Sequence, residues 1–148
     1  MADPYQLKRF VEAQDKNGVY EEAVSELRAG QKVGHWSWFI FPQIAGLGQS
    51  YMSRMFAISS LAEAQAYLQH PVLGPRLTTC AQILLGIDGK SATEILGVID
   101  TMKLRSSMTL FMSAATDTAI FQDVLDKYFN GSPDQDTIVR LRAAISSD

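Results

Sequence analysis

An all-α fold, one compact domain of about seven to eight short helices, is what three features of this chain point to. Apolar residues recur at helical spacing along most of its length. Glycine, asparagine and proline punctuate that pattern, and capping residues reopen it. At 148 residues, 47% apolar and 20% charged, the chain also has the size and composition of a single folded unit.

The first helix is expected to open at Asp3-Pro4, a cap and a first-turn proline, and to bring Leu7, Phe10, Val11 and Gln14 onto one face. Tyr20, Ala23, Val24 and Leu27 repeat the pattern until Gly30 stops it. Ser60-Leu61-Ala62-Glu63 has capping-box spacing and opens a helix that ends near His70-Pro71. Leu73, Leu77, Cys80 and Leu84 follow, with Pro75 tolerated in the first turn and Gly86 just beyond. Ser91 to Glu94 forms a second capping box, on a short helix that Gly97 closes. Asp100 is placed as the cap of the next helix, whose stripe is Leu104, Met108, Phe111 and Met112. Phe121, Val124, Leu125 and Tyr128 make another stripe, ended at Asn130-Gly131. Asp136 is placed as the cap of a last helix built on Ile138, Leu141 and Ile145.

Residues 35–43 break the periodicity. His35-Trp36-Ser37-Trp38-Phe39-Ile40-Phe41-Pro42 is strand-like by propensity, yet no second strand is evident to pair with it. A buried irregular stretch or distorted helix is expected instead, leading into the turn Gly46-Leu47-Gly48. A local preference at odds with the global fold draws attention to this segment as a site.

Several function classes are excluded or disfavoured. Thirteen basic against sixteen acidic residues give a net charge of −3, so no nucleic-acid polymer is expected as a partner. One cysteine and two histidines leave no cysteine-based zinc site, no internal disulfide and little material for any other metal site, and no cofactor motif is present. The polar first twenty residues and the lack of a long apolar run argue against a leader or a membrane partner, and so for a cytoplasmic protein.

Three blocks, HWSWFIFPQIAGLGQS at 35–50, YLQHPVLGPRL at 67–77 and DTMKLRSSMTLF at 100–111, resemble the motif blocks of the DUF1810 family. The resemblance extends over nearly the whole chain, from the Phe10-Val11-Glu12-Ala13-Gln14 run onward. It implies the Rv1873-like all-α fold and carries no established activity.

Within these blocks, His35 reads either as a general acid or base or as a core histidine whose ring nitrogens bind backbone groups and hold the loop in place. Trp36 and Trp38 would share one face of an extended segment, able to sandwich a planar ligand or to fill the core. Gln43 offers its amide to a ligand or to a loop backbone. Asp100, Lys103 and Ser107 fall on one helix side, with Ser106 beside them and Thr109 on a different face. Lys103, Ser106 and Ser107 suit a phosphate or carboxylate; the plainer account pairs Lys103 with a capping Asp100. Arg76 either completes the anion site or ties down a loop by binding carbonyls of the preceding helix. His70, at a helix C-terminus, reads as structural through the macrodipole, and Cys80 as a small buried hydrophobe.

The resulting expectation is a pocket for a small anionic, partly aromatic molecule, such as a nucleotide or phosphorylated metabolite. If the protein is an enzyme, His35 and Lys103 would carry metal-free acid–base chemistry, with Trp36, Trp38, Gln43, Arg76, Ser106 and Ser107 binding the ligand. That expectation requires the three blocks to converge in space. The alternative is a non-catalytic protein-interaction module, whose tryptophans would be partly exposed on a flat apolar patch.

Overall fold

The helical periodicity becomes ten α-helices in a computed structural model that describes residues 3–146. In chain order these are α1 (Lys8–Asp15), α2 (Val19–Ala29), α3 (Ser37–Ile40), α4 (Tyr51–Met55) and α5 (Leu61–Gln69), then α6 (Leu73–Leu85), α7 (Ala92–Leu96), α8 (Val98–Ala114), α9 (Ala119–Phe129) and α10 (Gln135–Ser146). The count exceeds seven to eight because α3 and α4 are about one turn each, too short for a periodic signal. Among the described residues there is no β-strand, and Ile44 and Ile58 make an isolated parallel bridge. The aromatic segment is therefore a helical turn set in irregular chain.

Three helix starts differ from the sequence expectation and a fourth, at α5, keeps its place but only half of its capping box, each for a local reason. Asp3 does cap α1, accepting from the Leu7 and Lys8 amides at 2.8 and 3.1 Å, but Gln6 at φ 51° delays the helix to Lys8. Ser60 accepts from the Glu63 amide, yet the Glu63 carboxylate turns to Ser59 and Arg9, so the reciprocal half of the box is missing. Asp100 lies inside the first turn of α8, which begins at Val98, and its carboxylate is engaged elsewhere. At α10 the cap is Asp134, which accepts from the Thr137 amide and hydroxyl, and Asp136 merely follows. The Ser91–Glu94 box is reciprocal. Ile145 lies outside the residues whose side chains are described.

The core is built around α8, which packs against α5, α7, α9 and α10. Six consecutive residues, Ser106 to Phe111, are buried, so the middle of this helix is enclosed on every side. Aromatic contacts radiate from it: Phe111 meets Tyr67 with ring centroids 5.1 Å apart, and Tyr67 meets Phe10 edge-on at 5.1 Å. Gly74 brings α6 so close to α5 that a Cβ there would collide with the Leu68 carbonyl. Two polar ties cross the core. Arg9 pairs with the buried Glu63 at 2.9 Å and donates to the Met55 and Ala57 carbonyls. Buried Gln14 donates to the Phe39 carbonyl at 2.7 Å and accepts from Arg76. Among the described residues, no helix is long and apolar enough to cross a membrane.

Candidate functional site

The loop between α2 and α3 owes its path to one carboxylate. Glu26, in the last turn of α2, accepts through Oε1 from the Val33 amide, the Gly34 amide and the Trp36 indole N–H at 2.7, 2.9 and 2.9 Å. Burial alone would raise its pKa, but these bonds outweigh that and hold the carboxyl below its ordinary value. The Lys32 amide also donates to the Ile95 carbonyl, joining the loop to α7. The effect is to lay Lys32, His35 and Ser37 against the first turns of α8.

Between them lies a cleft of about 250 Å³. Lys32, His35, Ser37 and Trp38 form one wall; Ile99, Asp100 and Lys103 form the other, with Trp36 behind. Asp100 stands between two ammonium groups, 2.8 Å from Lys32 and 3.5 Å from Lys103. One carboxylate against two cations leaves a positive charge in excess. Lys32 is spent: it also donates to the Gly34 carbonyl and lies over the Trp36 ring, 4.9 Å from its centroid. Lys103 is not. Its link to Asp100 exceeds ordinary hydrogen-bond length, and its other contact is the Trp38 ring at 4.6 Å. Ser37 adds a hydroxyl that is 3% exposed and has no hydrogen-bond partner among the described residues. A buried hydroxyl in that state costs stability unless something else satisfies it.

The residues singled out from the sequence divide into three groups. His35, Trp36, Trp38 and Lys103 line this cleft. His35 is exposed at it and so is not the core histidine the sequence also allowed, because the loop held by Glu26 carries it to the surface. The tryptophans do not form a sandwich. Trp36 is 1% exposed and held by Glu26 and Lys32, which leaves Trp38 alone at the cleft, partly buried and covered on one face by Lys103. Gln43 and Ser106 pair with each other at 2.7 Å and face an adjoining cleft of about 190 Å³. The Ser106 hydroxyl donates to the Lys103 carbonyl, so this pair braces α8 behind the cleft.

The remainder lie elsewhere. Ser107 is fully buried in the enclosed part of α8 and does not line the cleft. Thr109, also buried, donates to the Arg105 carbonyl and accepts from the Asp134 amide. Arg76 is a tie to α1, not to the carbonyls of α5. It pairs with Asp15 at 2.8 Å and lies over the Tyr20 ring. His70 is structural by a different route than the macrodipole of α5: its Nδ1 accepts from the Val72 and Leu73 amides at the start of α6. Cys80 is buried, and burial pushes its thiol up to about 12. Two of the three sequence blocks therefore meet at the cleft, and the 67–77 block serves the core. Sequence inspection missed Glu26, Lys32 and Ser37, because their roles depend on a loop path that no periodicity encodes.

Two larger clefts offer less to an anion. One of about 650 Å³ beside α9 has Asp117 and Asp123 in its walls and no basic side chain. One of about 740 Å³ along α1 is lined by Tyr5, Leu7, Val11 and Pro71; its one lysine, Lys8, is offset by Asp3 and Glu12 in the same lining, and His70 already accepts from the start of α6. Among the described residues, no group of three or more histidine, cysteine or acidic side chains is placed to hold a metal ion.

A family model described as "Protein of unknown function (DUF1810)" matches residues 4–141. The crystal structure of the conserved hypothetical protein Rv1873 from Mycobacterium tuberculosis is similar, with a TM-score of 0.91 and 51% identity over 95% of this chain and 99% of that one. Among curated proteins, none matches. With a model match over most of its length and a solved relative of the same fold, the chain belongs to the DUF1810 family.

Proposed function

We infer that this protein binds a small anionic molecule in the cleft between the α2–α3 loop and α8, in the cytoplasm. The observation that carries the reading is a buried, unpartnered hydroxyl on Ser37, which lines the same cleft as Lys103, whose ammonium group Asp100 only loosely occupies. A phosphate or carboxylate oxygen satisfies both, accepting from the hydroxyl and from the ammonium. Low exposure at the cleft floor makes those bonds stronger than they would be in water. Trp38 supplies an aromatic wall on one side only, so a planar part of the ligand rests against it without being enclosed. His35, at the rim, is the group positioned to exchange a proton with the ligand if it is transformed. Docking of a protein on the tryptophans themselves is the weaker alternative, since Trp36 is committed to the core.

The test is a thermal-shift series with sugar phosphates, nucleotides and small dicarboxylates on the wild type, Lys103→Met and Ser37→Ala. A ligand of the native state raises the melting temperature by mass action. The reading predicts an anion that stabilises the wild type and loses most of that effect in both variants. Equal stabilisation of all three proteins, or none of the wild type by any anion, would contradict it.

A further inference from the structure

Seven large apolar side chains are conspicuously exposed among the described residues, and three of them, Val98, Ile99 and Met102, share the first turns of α8. At i, i+1 and i+4 they form one contiguous face, 67%, 72% and 68% exposed. A fourth, Val33, is 73% exposed on the loop that carries Lys32 and His35. Isolated exposed apolar residues need no explanation, but a contiguous group at the mouth of a charged cleft does. Ile99 lines the cleft one turn before Lys103, and Met102, three residues on along α8, lines the cleft of about 190 Å³ that holds Gln43 and Ser106. The cleft, at about 250 Å³, is smaller than the ~300–1,000 Å³ of ordinary ligand pockets. A ligand longer than a simple phosphate ester or short carboxylate must extend from it across the lip.

Resting on the anion reading above, we propose that the ligand is amphiphilic: a phosphate or carboxylate seated at Lys103 and Ser37, with an apolar arm laid across Ile99 and Met102. A nucleotide with its polar ribose next to the phosphate fits this lip poorly. An aryl or short acyl phosphate or carboxylate fits it well. The charged end fixes orientation and is required for binding, and the arm adds affinity as its apolar area leaves water.

Calorimetric titration with methyl phosphate and phenyl phosphate separates the two parts, because both are monoesters and differ chiefly in the arm. Phenyl phosphate is expected to bind about tenfold more tightly, the ratio for ~60 Å² of apolar surface removed from water. An Ile99→Ser/Met102→Ser double variant should bind phenyl phosphate no more tightly than it binds methyl phosphate, erasing the difference that the arm makes. Lys103→Met should lose both, with Ser37→Ala as a second variant that keeps every charge. Equal binding of the two esters, both lost in Lys103→Met, would overturn the amphiphilic ligand while leaving the anion site standing. Failure of both esters to bind, or binding indifferent to Lys103, would overturn both. A concentration-dependent dimer dissolved by the double variant would also overturn it, assigning the lip to a second copy of the chain.

Discussion

Glu26 concentrates more of the site's geometry than any residue that touches the cleft. Three donors converge on one of its oxygens, and they come from the backbone and side chain of the segment that would otherwise have no regular structure. Hydrogen bonds to a charged group are worth about 1.5–3 kcal/mol, so Glu26→Gln is expected to destabilise the fold by that order in urea titrations at neutral pH. The pH dependence has a definite sign. The folded carboxyl titrates below its ordinary value of 4.5, so its contribution is complete above that value and is lost as pH falls through the folded one. Wild type should lose stability below about pH 4.5 more steeply than Glu26→Gln; parallel acid limbs would remove Glu26 from this role. At this scale the sequence was only partly legible. His35, Trp38 and Lys103 could be singled out by type and neighbourhood, whereas Glu26 and Lys32 look like ordinary charged residues until the loop is folded against α7 and α8.

Among the elements, periodic helices were legible and their ends less so. Gly30, Gly86 and Asn130 mark stops, because a glycine or asparagine just past the last apolar position releases the chain from the helix. Starts were displaced wherever neighbouring acidic residues competed, as with Asp134 and Asp136, or where a carboxylate was claimed by a distant cation, as with Asp100. The helix wheel also put Ser107 on the side of Lys103 at the cleft, because a wheel drawn for one helix does not reveal that α5, α9 and α10 enclose its middle turns. The α5–α6 junction gives a test at this scale. Since a Cβ at position 74 would meet the backbone of Leu68, and backbone does not yield as a flexible side chain does, Gly74→Ala should cost about 1–3 kcal/mol in chemical denaturation. A neutral or stabilising Gly74→Ala would mean that the two helices part easily.

Across the whole molecule, the three sequence blocks have separate duties. The 67–77 block and the middle of the 100–111 block meet through Tyr67 and Phe111 and build the centre of the core. The head of the 35–50 block and the first turns of α8 build the cleft. Gln14 ties these duties together, holding the Phe39 carbonyl just after Trp38 while accepting from Arg76 on α6. A sequence can advertise that such blocks matter, but not which of them face solvent, because burial of the Tyr67 block and of Trp36 is decided by packing between elements far apart in the chain. The central claim is that the cleft holding Trp38, Ser37 and Lys103 receives an anion. It is tested most directly by following both tryptophan indole N–H resonances and the backbone amides by NMR while phenyl phosphate is added. The account predicts saturable shifts at Trp38 and at the amides of residues 35–38 and 99–103, absent in Lys103→Met. Shifts confined to the clefts beside α9 or along α1, or saturable shifts that survive in Lys103→Met, would contradict it.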